Sequence, residues 1–233
     1  MKNDYIKFKK YLKSQKGQDR WLNDNLFNWK KSGYFIEAGA LDGCTNSNTY
    51  FFEKVLGWNG LLIEPNRVEF NKIKKTRSSI AICECIYDGS LVKFANKKGH
   101  GSISNRSLDN CLSHNDSDKT VEIKSITIKE ALDKISAPKY IDYFSLDVEG
   151  AEEFIVSSFP YREYTVGCFT IERASEKINS ILTREGYALI NKAWPDHYYA
   201  RLELIKKNNL KIFNFSEFNI KKLKSGKIIE VKK

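Results

Sequence analysis

The stretch Gly33-Tyr34-Phe35-Ile36-Glu37-Ala38-Gly39-Ala40-Leu41-Asp42-Gly43 constrains this chain more than any other. A short apolar run, aromatic and β-branched, passes at once into two glycines, the pattern of a buried strand entering a tight loop. Ser47 and Asn48 are N-cap types, and residues 49–56 carry apolar side chains at helical spacing. Strand, glycine loop and helix therefore come in the order of a nucleotide site. Glu64 closes a second apolar run, Gly60-Leu61-Leu62-Ile63, 21 residues after Gly43. In a doubly wound sheet an acid at the end of the second strand sits beside the first glycine loop, where its two oxygens can accept both ribose hydroxyls.

The loop lacks one glycine of the dinucleotide fingerprint and has no Lys-Ser/Thr pair of the phosphate-cradling type. Glu37, Asp42 and Glu64 repel a pyrophosphate and attract a ligand with ribose hydroxyls, an ammonium and a sulfonium. S-adenosyl-L-methionine (S-adenosylmethionine) carries those groups. The competing reading is a strand end whose glycines only permit a turn; the Glu64 spacing weighs against it.

A chain of 233 residues fits one α/β domain with terminal additions. No apolar run reaches the roughly 18 residues of a membrane span, and no secretory leader is visible, so a cytoplasmic location is expected. Five cysteines, Cys44, Cys83, Cys85, Cys111 and Cys168, include no C-x-x-C pair, which argues against a disulfide framework and a structural zinc site. Cys83 and Cys85 share a face of a strand-like run, as packing or pocket-lining residues. The net charge of +10 is terminal: residues 1–20 carry +5 and residues 201–233 carry +7, leaving −2 for the middle. Such ends can attract nucleic acid, anionic lipid or a phosphorylated acceptor. The preferred reading is a solvated, lysine-rich surface, because the aromatics form no stacking pattern.

Taken in order, residues 4–13 and 18–29 read as amphipathic helices ahead of the first strand. Pro65-Asn66 starts a helix, and residues 79–86 read as a third strand, completing a βαβαβ half whose ligand lies outside the strands' carboxyl ends. Residues 88–118 form a long polar connection with a short strand at 91–94; its His100 and His114 read as exposed loop residues. A strand at 121–126 precedes a helix opened by a capping box, Thr127 with Glu130. Residues 140–147 form the fourth main strand, with Asp147 at its carboxyl end, Glu149 just beyond and a helix after that. Glu152 and Glu153 fit a helix N-terminus. Residues 165–172 form the fifth strand, ending at Glu172, and a helix over 173–185 is capped by Gly186. Residues 187–193 and 197–204 form a closing hairpin around Trp194-Pro195-Asp196.

Ser14-Gln15, Gly17-Gln18-Asp19, Phe35 through Gly43, Ser47-Asn48-Thr49, Gly57 through Pro65, and Ser145 through Glu152 together resemble the FkbM-type class I methyltransferases. The resemblance spans roughly residues 14–200. It implies a Rossmann-like α/β fold with a seven-stranded, mostly parallel sheet, an antiparallel C-terminal hairpin and helices on both faces. The strand count agrees. One domain is expected: N-terminal helices (1–32), a catalytic core (33–204) and a basic extension (205–233). The resemblance also implies S-adenosylmethionine as cofactor, with Glu37, Gly39 and Gly43 around the methionine part, Glu64 on the ribose, Cys85 and Ile86 near the adenine, and Asp147 facing the reacting end. With the neighbouring motif residues Ala40, Asp42, Ser47, Asn48, Thr49 and Pro65, these form the expected cofactor-binding set. Where relatives carry Glu-His or Glu-Asn after the fifth strand, this chain has Glu172-Arg173.

Asp147, Glu149 and Glu172 are the candidate catalytic acids, since a hydroxyl acceptor must lose a proton and all three converge on one sheet edge. A divalent ion on these acids is not expected, because the sequence has no metal-binding motif. The reading is O-methylation of a hydroxyl on a sugar nucleotide, glycan or small metabolite. The alternatives are an RNA methyltransferase using the basic ends, and a non-catalytic interaction module on the same fold.

Overall fold

The computed structural model describes residues 4–97, 100–104, 120–222 and 228–232. His114 and Cys111 lie outside them. Seven strands form the main sheet: β1 (Tyr34–Ala38), β2 (Asn59–Ile63), β3 (Ile80–Ile82), β4 (Tyr140–Leu146), β5 (Thr165–Glu172), β6 (Tyr187–Ala193) and β7 (Asp196–Arg201). Their order is β3-β2-β1-β4-β5-β7-β6. β7 alone runs antiparallel to its neighbours, so the expected seven-stranded α/β sheet with its antiparallel closing hairpin is what the chain forms.

Alternation along the central strands builds a core on each face, as a doubly covered sheet requires. Ile36 and Ala38, Phe144 and Leu146, and Phe169 and Ile171 face one core, which is closed by helices Ile128–Lys134, Glu152–Ser158 and Glu176–Arg184. Phe35, Leu62, Tyr143 and Tyr198 face the other, closed by Tyr50–Leu56, Arg67–Thr76 and the N-terminal helices. Thr127 and Glu130 form the expected capping box, Asn66 accepts from the Val68 N–H at the start of its helix, and Gly186 adopts φ +85° after its helix.

Several local readings change, among them His100, read as a loop residue, which starts the strand His100–Ile103. The third strand divides: Ile80–Ile82 pairs with β2, while Cys85–Ile86 joins a second sheet with Thr120–Ile126, Leu91–Lys97 and His100–Ile103. An apolar run at a sheet edge carries no local mark of which sheet it joins. The second N-terminal helix is α-helical over Gln18–Leu22 and then widens to a π-helix over Asn23–Phe27, where the Asn28 N–H reaches back to Asn23 O. The helix expected over 173–185 begins only at Glu176, with Ser175 as N-cap. The last strand stops at Arg201 and gives way to a helix, Leu202–Asn208, whose Ile205 is buried in the second core.

Candidate active site

Strand order reverses between β1 and β4, and ligands of open α/β sheets bind at such a switch point. Here the ends of the two strands nearly touch. Gly39 and Ala40 donate N–H bonds to Ile63 O (3.0 and 3.1 Å), and Asp147 N–H donates to Ala38 O (3.1 Å). Gly39 has φ +82°, and a Cβ on it would lie 1.7 Å from the Asp147 carbonyl oxygen. Glycine is required here by the neighbouring strand. The cleft above is lined by ten of the expected cofactor residues, Glu37, Gly39, Ala40, Ser47, Asn48, Glu64, Pro65, Cys85, Ile86 and Asp147, and by Glu149 and Glu172.

Glu64 follows β2 with its carboxylate turned into the protein. One oxygen accepts the Leu41 N–H (2.8 Å) and the other the Asn66 N–H (2.9 Å). Burial pushes its pKa up to about 7, against the pull of those two bonds. Each oxygen retains a lone pair for a ligand hydroxyl. Beside it, Cys85 and Ile86 join Phe94 and Ile103 of the second sheet in an apolar wall, suited to a flat ring.

Glu37 is committed inward. It accepts from Ser47 Oγ (2.8 Å), Asn48 N–H (2.7 Å) and Thr49 Oγ1 (2.6 Å), and so holds the start of the Tyr50–Leu56 helix. Asn48 is left as the group that faces the cleft: its Nδ2 donates to Ser145 Oγ (2.9 Å), while Oδ1 is buried without a partner. Asp42, Gly43 and Thr49 are not among the lining residues. Asp42 folds back on the loop, accepting from Cys44 N–H, Thr45 N–H and Thr45 Oγ1. Gly43, at φ +76°, packs on Arg77, and Thr49 is fully buried behind Glu37.

Acids gather at the other end. Asp147, Glu152 and Glu172 each bring a carboxylate oxygen within 4.8 Å of the others, a spacing a divalent cation can bridge and that acidic groups also adopt without one. Asp147 opens onto the cleft, yet the protein around it and the charges of Glu172, Glu149 and Glu152 push it well above the usual carboxylate range. Glu152, accepting from Val148 and Gly150 N–H, is raised by burial to about 7. Asp196, opposite Glu172 in the β5–β7 pairing, is raised to about 6 by burial and by Glu172, and is held by Gln18 Nε2. Arg173 bridges Glu149 (3.6 Å) and Glu172 (3.3 Å).

A family model, the methyltransferase FkbM domain, matches residues 37–187, from the middle of β1 to the start of β6. The chain belongs to the FkbM methyltransferase family. No curated protein matches it. Solved structures similar to this FkbM methyltransferase include the METTL16 MTase domain, at 12% identity and TM-score 0.44, covering 78% of this chain. The chain spans 64% of that METTL16 chain. Precorrin-6y C5,15-methyltransferase from Geobacter metallireducens GS-15 is 12% identical with TM-score 0.45, covering 82% of this chain and 89% of its own. A methyltransferase from Pyrococcus furiosus is 12% identical with TM-score 0.38, covering 77% and 78%.

The methyl donor of this FkbM methyltransferase is S-adenosylmethionine, and the cleft suits it. Glu64 matches the ribose, the orphaned Asn48 Oδ1 matches an ammonium, and the acids beyond match a sulfonium. Two cleft features escaped the sequence. Gln18 and Asp196 meet although 178 positions apart, a contact with no local signal. Leu41, Asn46, Glu149 and Arg173 line the cleft with φ between +48° and +59°, a strained conformation for such residues that collects at functional sites.

Proposed function

We propose that this FkbM methyltransferase methylates a hydroxyl of a sugar, glycan or small metabolite. The observation that carries the reading is the charge of the cleft. Among its described lining residues, seven carboxylates face one cation, Arg173. Such a surface repels the phosphates of a nucleic-acid backbone and offers acceptors to hydroxyl groups. S-adenosylmethionine supplies the hard part of the chemistry, a methyl group made electrophilic by its sulfonium. The chain's own residues orient the acceptor and take its proton, for which Asp147, Glu149 and Glu172 at the strand ends are the candidates. The basic ends favour a second reading, methylation of RNA, in which they hold the backbone outside the cleft.

Transfer of radiolabelled methyl from S-adenosylmethionine into monosaccharides, sugar nucleotides, extracted glycans and total RNA tests the choice. Base-stable label in the carbohydrate or small-molecule fractions is expected, and Asp147→Asn should slow it by about 10²–10⁴ if that carboxylate takes the proton. Label confined to RNA overturns the reading.

A further inference from the structure

We infer that Arg77 is the positioning residue of the cofactor loop: one buried guanidinium fixes the backbone of residues 39–49 in its binding shape. This rests on the assignment of the cleft to S-adenosylmethionine. Arg77 follows the Arg67–Thr76 helix in extended conformation, and its side chain is wholly buried. Nη1 donates to Gly43 O (2.9 Å) and Ser47 Oγ (3.1 Å) and lies 3.4 Å from Glu37 Oε2. Nη2 donates to Thr49 Oγ1 (2.8 Å), and Nε to Glu53 Oε2 (2.9 Å). Five acceptors thus gather around a single guanidinium, three of them sharing the two N–H groups of Nη1.

The positions of those acceptors give the argument its force. Glu37 lies where the chain enters the loop, Gly43 at its middle, Ser47 and Thr49 where it leaves, and Glu53 on the helix that follows. The loop holds Leu41 at φ +48° and Asn46 at φ +59°, conformations that persist only when the surroundings impose them. Glu64 holds the Leu41 N–H and Asp42 those of Cys44 and Thr45, and Arg77 ties the two ends and the middle of the loop together. Its Cγ would lie 2.9 Å from a Cβ at Gly43, so this glycine admits the arginine from below. Glu53 anchors the far end: burial alone would raise it, but Arg77 together with bonds from Ser79 and Ser78 brings it down to about 2. Lysine, a point charge with three donors, cannot span this set.

Calorimetry with S-adenosylmethionine and S-adenosylhomocysteine on the full chain tests the assignment, at a temperature where circular dichroism shows each variant folded. Arg77→Met should weaken both ligands tenfold or more, and Arg77→Lys should recover part of the loss. Glu53→Gln, outside the cleft, should weaken both about threefold, and the Arg77→Met/Glu53→Gln pair should be no weaker than Arg77→Met alone. Wild-type affinity in folded Arg77→Met overturns the proposal, as do additive losses in the pair. Should Arg77→Met fail to fold, Arg77→Lys and Glu53→Gln decide, and wild-type affinity in both overturns it. A wild-type chain that binds neither ligand overturns the cofactor assignment itself, and this proposal with it.

Discussion

In its proposed cofactor role Glu64 acts as a carboxylate, because an ionised group can accept both ribose hydroxyls while a protonated one gives up an acceptor site. Without ligand its pKa is held up at about 7 by burial. Binding favours the charged form and draws the pKa down, so a proton is released. The sign follows: affinity is fully present above about pH 7 and falls as pH drops below it, by up to about tenfold per unit for one group. Asp147 and Glu152, also raised, add to the release as the sulfonium approaches. Calorimetry in buffers of different ionisation enthalpy should therefore show more than one proton released near pH 6.5, and fewer in Glu64→Gln. Pure uptake of protons on binding would contradict this account. Glu64 was legible because its spacing encodes its place. Gly39 was legible as a turn glycine, which its φ of +82° bears out, but its second constraint was not: the Asp147 carbonyl is brought in from over a hundred positions away.

Elements were readable where their signals are local. The capping box at Thr127 and Glu130 names its helix from four residues; Thr127 Oγ1 accepts the Glu130 N–H (3.1 Å) and Glu130 Oε2 accepts the Thr127 N–H (2.7 Å). That helix buries Ile128, Ala131 and Leu132 against the sheet and leads into β4, which Asp147 follows. Thr127→Ala should lower unfolding free energy by about 1 kcal/mol, read from denaturant midpoints at constant m-value, with cofactor affinity unchanged. A loss of affinity in a fully folded variant would mean that the cap also sets the position of β4. The misread elements have nonlocal causes. The run at 79–86 divides because two sheets compete for it, and the chain after Arg201 turns helical because Ile205 has a place in the second core, beside the π-helix of residues 23–27.

Across the whole molecule, charge is segregated: an acid-lined cleft sits in a chain of net charge +10, with the excess at its ends. The C-terminal end is itself of two kinds. Residues 205–215 belong to the body, since Ile205 is buried, Phe213 N–H donates to Leu189 O (2.9 Å) and the Phe215 ring stacks on His197 with centroids 5.3 Å apart. Among the described residues the strands Phe218–Lys222 and Ile228–Lys232 pair only with each other, and an isolated two-stranded ribbon contributes little stability. Residues 218–233 hold six lysines against one glutamate, a concentration of charge that acts over a Debye length and orients nothing at the cleft. Truncation after Glu217 should therefore leave melting temperature unchanged and cofactor affinity and kcat within about twofold, whereas truncation after Leu204 removes core contacts and should destabilise the fold. If the lysines hold single-stranded RNA, the same truncation should flatten the dependence of log K on log salt by as much as about 4, from roughly 0.7 per lost phosphate contact. Fluorescence anisotropy with a labelled oligonucleotide across a salt series measures that slope, and single-turnover methylation measures the chemistry. A truncated enzyme with an unchanged slope but a crippled transfer step would show that the tail reaches the acids at the ends of β4 and β5, and that the division of labour drawn here is reversed.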